Sequence, residues 1–173
     1  SFARTNLAYV VRHTENKASE LLHILGRVDG SAIIYTQNRK KTKEVCDFLT
    51  ANGITAEYYH AGLSPDSKDA KEDAWKSGRA RVMVSTNAFG MGIDKPDVRL
   101  VVHIDLPSSI EAYFQEAGRA GRDGEKAYAV TLFSRIDKQT VSRRLSDNYP
   151  PQDFIRDIYD ELCYYYNMAL GDG

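Results

Sequence analysis

Short, nearly solid apolar runs alternate along this chain with stretches of helical periodicity, and that alternation restricts the fold more than any other feature. Residues 32–35 (Ala-Ile-Ile-Tyr), 55–59, 81–85, 100–104 and 128–133 read as buried strands. Between them lie helical patterns. Residues 40–49 place Val45, Phe48 and Leu49 on one face, with Gly53 as a C-terminal cap. Ser64-Pro65-Asp66 combines a cap, a proline at the first helical position and an acid near the positive end of the dipole; that helix should run to about Lys76 and stop at Gly78. Ser108 or Ser109 can start a helix through Gln115, and further helices are expected over 20–25, from Asp137 to about Leu145, and from Asp153 after the break at Pro150-Pro151. Strands that are apolar throughout, separated by helices, predict an α/β fold: a mostly parallel sheet with helices on both faces. In such sheets ligands gather at the carboxyl ends of strands, so the segments from Thr36, His60 and Thr86 should leave one edge together.

Composition limits the partners. The chain has 173 residues, one domain of ordinary size, and a formal charge of −1. A nucleic acid would have to be held by a local patch, not by the field of the whole chain. Cys46 and Cys163 are far apart and lack a CxxC spacing, so no zinc site is expected; Cys46 reads as a small buried thiol. No run is long and apolar enough to span a membrane, and a reducing cytosol fits the cysteine usage.

The chemistry is concentrated in a few strings. In Gly118-Arg119-Ala120-Gly121-Arg122-Asp123-Gly124, two arginines stand three residues apart, and on one helical turn they could aim at one target. Small residues between them permit close approach. Arginine donates in a fork and never loses its charge, so it suits phosphate oxygens and the charge that develops in phosphoryl transfer. Taken alone, such a string is more often a solvated turn. Residues 84–96 follow a strand with Ser85, Thr86 and Asn87, which offer hydroxyls and an amide to a phosphate backbone, then a glycine-rich loop containing Gly92 and Asp94. Residues 35–39 add Thr36, Asn38 and Arg39; Asn38 and Thr36 could cap the next helix, bind phosphate at its N-terminus, or both. His60 ends a strand, where a phosphate contact and a turn cap are equally good readings. His103 lies inside a strand and reads as a packed core residue. Trp75 reads as a core contact before it reads as a base-stacking platform.

Gln115 through Gly124 resembles helicase motif VI in its RecQ form, in which a glutamine-glutamate pair leads into the arginine string; the DEAD-box RNA helicases carry a histidine-arginine pair there. Residues 84–96 resemble motif V, 35–39 motif IV, and 59–63 the motif between them, in family order. The resemblance covers about residues 2–133 and implies the second RecA-like domain of an ATP-dependent 3′–5′ DNA helicase, a three-layer α/β sandwich, with roles in DNA repair and recombination. It implies that Arg119 and Arg122 reach the γ-phosphate of ATP, that Asp94 lies near its ribose, that Gly92 also belongs to the nucleotide site, and that Gln115 couples the nucleotide to a first RecA-like domain. Thr36, Asn38, Arg39, His60, Ser85, Thr86 and Asn87 would grip single-stranded or duplex DNA.

No Walker A string and no Asp-Glu-Ala-Asp string occurs. ATP and Mg²⁺ would therefore be held mainly by the first domain, with no metal ligands expected here, and this chain by itself should not hydrolyse ATP. Residues 1–7 look like the sequence joining the two domains. The expected division is 1–149 for the motor domain and 150–173 for a helix leading to a further module, zinc-binding in many RecQ proteins. The resemblance implies a cytoplasmic protein, associated with the nucleoid in a bacterium or nuclear in a eukaryote. Two other readings stay open: a non-catalytic binding domain that kept a helicase fold, which the retained arginines disfavour, and an RNA helicase, which Gln115-Glu116 disfavours.

Overall fold

The computed structural model describes residues 4–148 apart from 88, 90 and 91. The expected helix from Asp153, Cys163 and the tyrosines at 164–166 lie outside the described residues. The chain divides into two compact units, Ser1–Phe133 and Ser134–Gly173.

The first unit is built on six parallel strands: β1 (Leu7–His13), β2 (Ser31–Tyr35), β3 (Ala56–Tyr59), β4 (Val82–Ser85), β5 (Val98–His103) and β6 (Ala127–Phe133), in the order β1-β6-β5-β2-β4-β3. Helices α1 (Lys17–Arg27), α2 (Arg39–Ala51), α3 (Pro65–Lys76) and α4 (Ile110–Ala117) connect them. Alternate residues of each strand feed two separate cores. Ala32, Ile34, Val82, Val84, Leu100 and Val102 pack with Leu21, Ile24 and Leu25 of α1 and Cys46 and Leu49 of α2. Ile33, Met83, Val101 and Ala129 pack on the other face with Trp75 of α3 and Tyr113 and Ala117 of α4. Side chains on a strand point to opposite faces in turn, so a strand covered on both sides must be apolar throughout. This is the three-layer sandwich expected.

Local signals end the helices as anticipated. Asn38, Ser64 and Ser109 accept from Lys41 N, Ser67 N and Ala112 N. Gly53 and Gly78 follow their helices at φ 79° and 81°, where a glycine avoids the Cβ clash. Trp75 is fully buried and its Nε1 donates to Ala32 O at 3.1 Å. Cys46 is a free, buried thiol whose pKa burial pushes up.

One strand was not anticipated. Residues 1–7 read as a joining sequence and no element is expected over 8–13, yet Leu7–His13 pairs with all seven residues of β6. Only Leu7 of that run is buried, while Tyr9 and Val10 are half-buried against the two cores. An edge strand has a neighbour on one side alone, so its side chains stay partly open. In the second unit, α5 (Arg135–Asn148) starts two residues before the expected Asp137. Asp137 Oδ2 accepts from both Ser134 N and Ser134 Oγ, a side chain reaching back to the cap.

Candidate functional site

The parallel register brings Tyr35, Tyr59, Ser85 and His103 side by side at the carboxyl ends of β2, β3, β4 and β5. Thr36, His60 and Thr86 therefore do leave one edge. Their side chains meet different fates. Ser85 is fully buried and its hydroxyl donates to Tyr59 O at 3.1 Å and Thr86 O at 2.7 Å, so it is tied up inside the sheet edge. Thr36 is buried too, its hydroxyl donating to Asn38 O. Asn38 realises its capping role. Asn87 and Arg39 are exposed and Thr86 is half-buried. His60 Nδ1 accepts from Gly62 N at 3.1 Å, which leaves the proton on Nε2. Its pKa lies below the ordinary 6.5, first because of partial burial and then because Arg39, Lys68 and Lys71 repel a positive charge. A neutral imidazole with an Nε2–H is a hydrogen-bond donor, as a phosphate contact needs.

The arginine string is placed differently. Helix α4 ends at Ala117, and residues 118–123 form a series of turns, so Arg119 and Arg122 do not share a helical turn as expected. Glycine at 118 stops the helix; a Cβ there would lie 2.7 Å from Phe114 O. Backbone bonds tie the turns to the amino ends of the strands: Gly121 N donates to Val98 O at 2.8 Å and Asp123 N to Pro96 O at 3.0 Å. These two turns are thus tied to the amino end of β5.

The two arginines enter a hollow of about 640 Å³, lined by Gly92, Ile93, Asp94, Phe114, Gln115, Gly118, Arg119 and Arg122. It includes all five residues singled out as nucleotide-binding, from two segments distant in sequence. Its apolar side, Ile93 and Phe114, packs on the core beneath α3 and α4. Arg122, Gln115 and Asp94 are exposed, and Arg119 is half-buried.

Beneath Arg119 lies a buried polar group that sequence reading missed. His103 Nε2 donates to Glu116 Oε2 at 2.7 Å, with side chains 1% and 12% exposed. His103 also stacks on Tyr35, with ring centroids 5.2 Å apart. The Tyr35 hydroxyl donates to Phe89 O and accepts from the Arg119 guanidinium. Burial drives its pKa up, so it stays a neutral phenol. His103 was expected in the core, and it is there. Glu116 had a detectable signal: Tyr113, Glu116, Ala117 and Ala120 recur at helical spacing and all four are buried. Arg4 and Asn6, whose side chains also contact this loop, carried no such signal.

The donor set fits part of a nucleotide. Two guanidinium groups suit phosphate oxygens, and the Asp94 carboxylate suits a sugar hydroxyl. Among the described residues no group of three His, Cys, Asp or Glu could hold a metal ion, and no helix is long and apolar enough to cross a membrane.

A six-stranded parallel sheet covered by helices on both faces is a RecA-like fold, shared with solved helicase structures. The family described as "Helicase conserved C-terminal domain" matches residues 16–124, and the chain belongs to that family, in its RecQ-like branch. It is 42% identical over 144 residues to the ATP-dependent helicase SGS1 of Saccharomyces cerevisiae, which covers 82% of this chain and 10% of that protein. It is 41% identical over 138 residues to the ATP-dependent DNA helicase RecQ of Pasteurella multocida, covering 79% of this chain and 22% of that protein. The chain thus spans between a tenth and a quarter of the length of these relatives. The solved structure of the RNA-helicase Prp28 from Chaetomium thermophilum bound to ADP superposes with a TM-score of 0.69 at 27% identity, covering 84% of this chain and 38% of that one.

Proposed function

We propose that this chain is the C-terminal motor domain of an ATP-dependent 3′–5′ DNA helicase acting in DNA repair or recombination. It supplies Arg119 and Arg122 to an ATP site completed by a first RecA-like domain, which holds the phosphate cradle and Mg²⁺. The observation that carries this reading is the convergence of Gly92, Asp94, Gln115, Arg119 and Arg122 on one hollow. ATP supplies the phosphoryl group whose release drives the machine. Arg122, exposed at the rim, donates to the transferring phosphate, where a fixed positive charge is most effective. Arg119 is steadied from below by Tyr35. Asp94 accepts from a sugar hydroxyl, and Gln115 senses whether the partner domain has closed.

The edge at Thr36 and His60 holds DNA. The exposed Arg39 and Asn87, with the half-buried Thr86 and His60, donate to phosphates there, which positions a strand without reading its bases. Ser85 and Thr36 are buried with occupied hydroxyls, so in this reading they shape that edge instead of touching DNA. Arg119 meets Tyr35 at the carboxyl end of β2, beside the edge assigned to DNA, so this contact links the two sites as the domains close.

Arg122→Ala in the intact helicase should lower DNA-stimulated ATPase by about 10³- to 10⁵-fold. A wild-type rate would sink the assignment. Comparing stimulation by single-stranded DNA and RNA tests the substrate class, and stronger stimulation by RNA would overturn the DNA reading.

A further inference from the structure

Two side chains from the segment before β1 converge on the arginine loop. Arg4 Nη1 donates to Gly118 O at 2.9 Å, and Nη2 donates to Ala120 O at 2.8 Å and Gly121 O at 2.5 Å. Asn6 Nδ2 donates to Gly121 O at 2.7 Å and Glu125 O at 2.8 Å. The carbonyls that Arg4 takes belong to the turns just past the end of α4, where the helix dipole is negative and a guanidinium is favoured.

Which carbonyls are held decides what the contact can do. Gly118 O belongs to the peptide unit that leads into Arg119. Gly121 O belongs to the unit that leads into Arg122, and both Arg4 and Asn6 grip it. A peptide unit is planar, so fixing its carbonyl fixes the direction in which the next Cα is presented. Each arginine in the hollow is therefore preceded by a clamped peptide. From the other side, Gly121 N and Asp123 N are bonded to Val98 O and Pro96 O. Gly121 itself has φ 64°, and a Cβ on it would stand 2.7 Å from Asn6 Nδ2 and 2.9 Å from Ala127 Cβ. The approach of Asn6 needs glycine at that position.

We propose that Arg4 and Asn6 are positioning residues that aim Arg119 and Arg122, an inference that rests on the arginines serving the ATP site. They do not touch the nucleotide. They act through the backbone of the loop.

The test is a mutant cycle in the intact helicase, read as steady-state ATPase with saturating single-stranded DNA. Arg4→Ala should lower kcat by about 10²-fold, the scale of a misplacement near 1 Å. Asn6→Ala should lower it by about 3- to 10-fold. Nucleotide affinity, measured separately with a fluorescent ATP analogue, should change less than about 3-fold, since ground-state binding rests mainly on the other domain. Arg4→Lys should recover little, because one ammonium cannot span three carbonyls. The decisive comparison is Arg4→Ala placed on the pair Arg119→Lys and Arg122→Lys. If Arg4 works by aiming these two arginines, adding Arg4→Ala should make that pair no slower. Multiplied defects would show a merely structural role and overturn the inference, as would a wild-type kcat for Arg4→Ala. Should Arg4→Ala fail to fold, Asn6→Ala on Arg122→Lys gives the same two outcomes. A wild-type kcat for Arg122→Lys and Arg122→Ala would remove the arginine reading and overturn this inference with it, whatever Arg4→Ala does.

Discussion

The arginine loop and the His60 edge both carry basic side chains and both are interrupted by glycine, yet their backbones are held differently. Around Arg119 and Arg122 the backbone is held from two sides and a buried His103–Glu116 pair lies underneath. Around Arg39 and His60 the bonds of Asn38 and His60 are a local cap and a local turn, and Asp105 adds a tie to Gln37 N and Lys41 from beyond the end of β5. Among the described residues no distant side chain grips the backbone of Arg39 or His60 as Arg4 grips the arginine loop. The difference matches the two tasks proposed. A charge aimed at a transition state must be placed within a fraction of an ångström, whereas a charge gripping a DNA backbone only has to be present.

The sharpest way to break the contrast is to add one methyl group to each region. Gly121→Ala meets Asn6, Ala127 and Glu125 O within 3.0 Å at a positive φ, so it should cost about 2–5 kcal/mol in a urea melt. Gly62→Ala meets the tip of the Arg39 side chain at 2.6 Å, a flexible end that can swing away, and should cost less than about 0.5 kcal/mol. Equal costs would erase the distinction.

A smaller effect is expected beneath the loop. His103→Leu removes the donor to Glu116 and leaves a largely buried carboxylate without it, at a cost of about 2 kcal/mol. Glu116→Gln keeps an acceptor for His103 Nε2 and should cost distinctly less. If both melts coincide with wild type, the pair does not stabilise the loop.

The smallest effects are in pH, and they separate the regions by range. His60 is less basic folded than unfolded, so between its ordinary 6.5 and its lower folded value the unfolded chain binds more protons. Its contribution is complete above about pH 6.5 and falls as the pH drops through that interval. Asp123, in the arginine loop, has its pKa lowered by the hydrogen bond from Arg99. A depressed carboxylate contributes fully above its unfolded value of 3.8 and loses that contribution only as pH falls through its folded value. Stability titrations of His60→Gln and Asp123→Asn should lose the first slope and the second respectively. A slope near pH 6 that survives in His60→Gln would point to another group.

Most of the sheet was legible because central parallel strands are apolar on both faces and their helices begin and end on Ser, Asn, Pro and Gly. The hollow was legible for a different reason: Gly92, Asp94, Gln115, Arg119 and Arg122 fall in strings that carry a family resemblance. Edge strand β1 carried a signal as well, the apolar run Leu7-Ala8-Tyr9-Val10-Val11 that packs on both cores, but no helical pattern before it marks where the strand starts.

By itself the sequence determined the α/β class, the caps, the order of the motifs and the family. Only the tertiary structure decided that the turns at Gly121 and Asp123 are tied to the amino end of β5, that Ser85 and Thr36 are buried, and that Arg4 and Asn6 hold the loop. The physical reason is separation along the chain. Periodicity and capping act within a few residues, whereas Arg4 meets Gly118 across 114 positions. Such a bond forms only after the pairing of β1 with β6 has brought the two segments together.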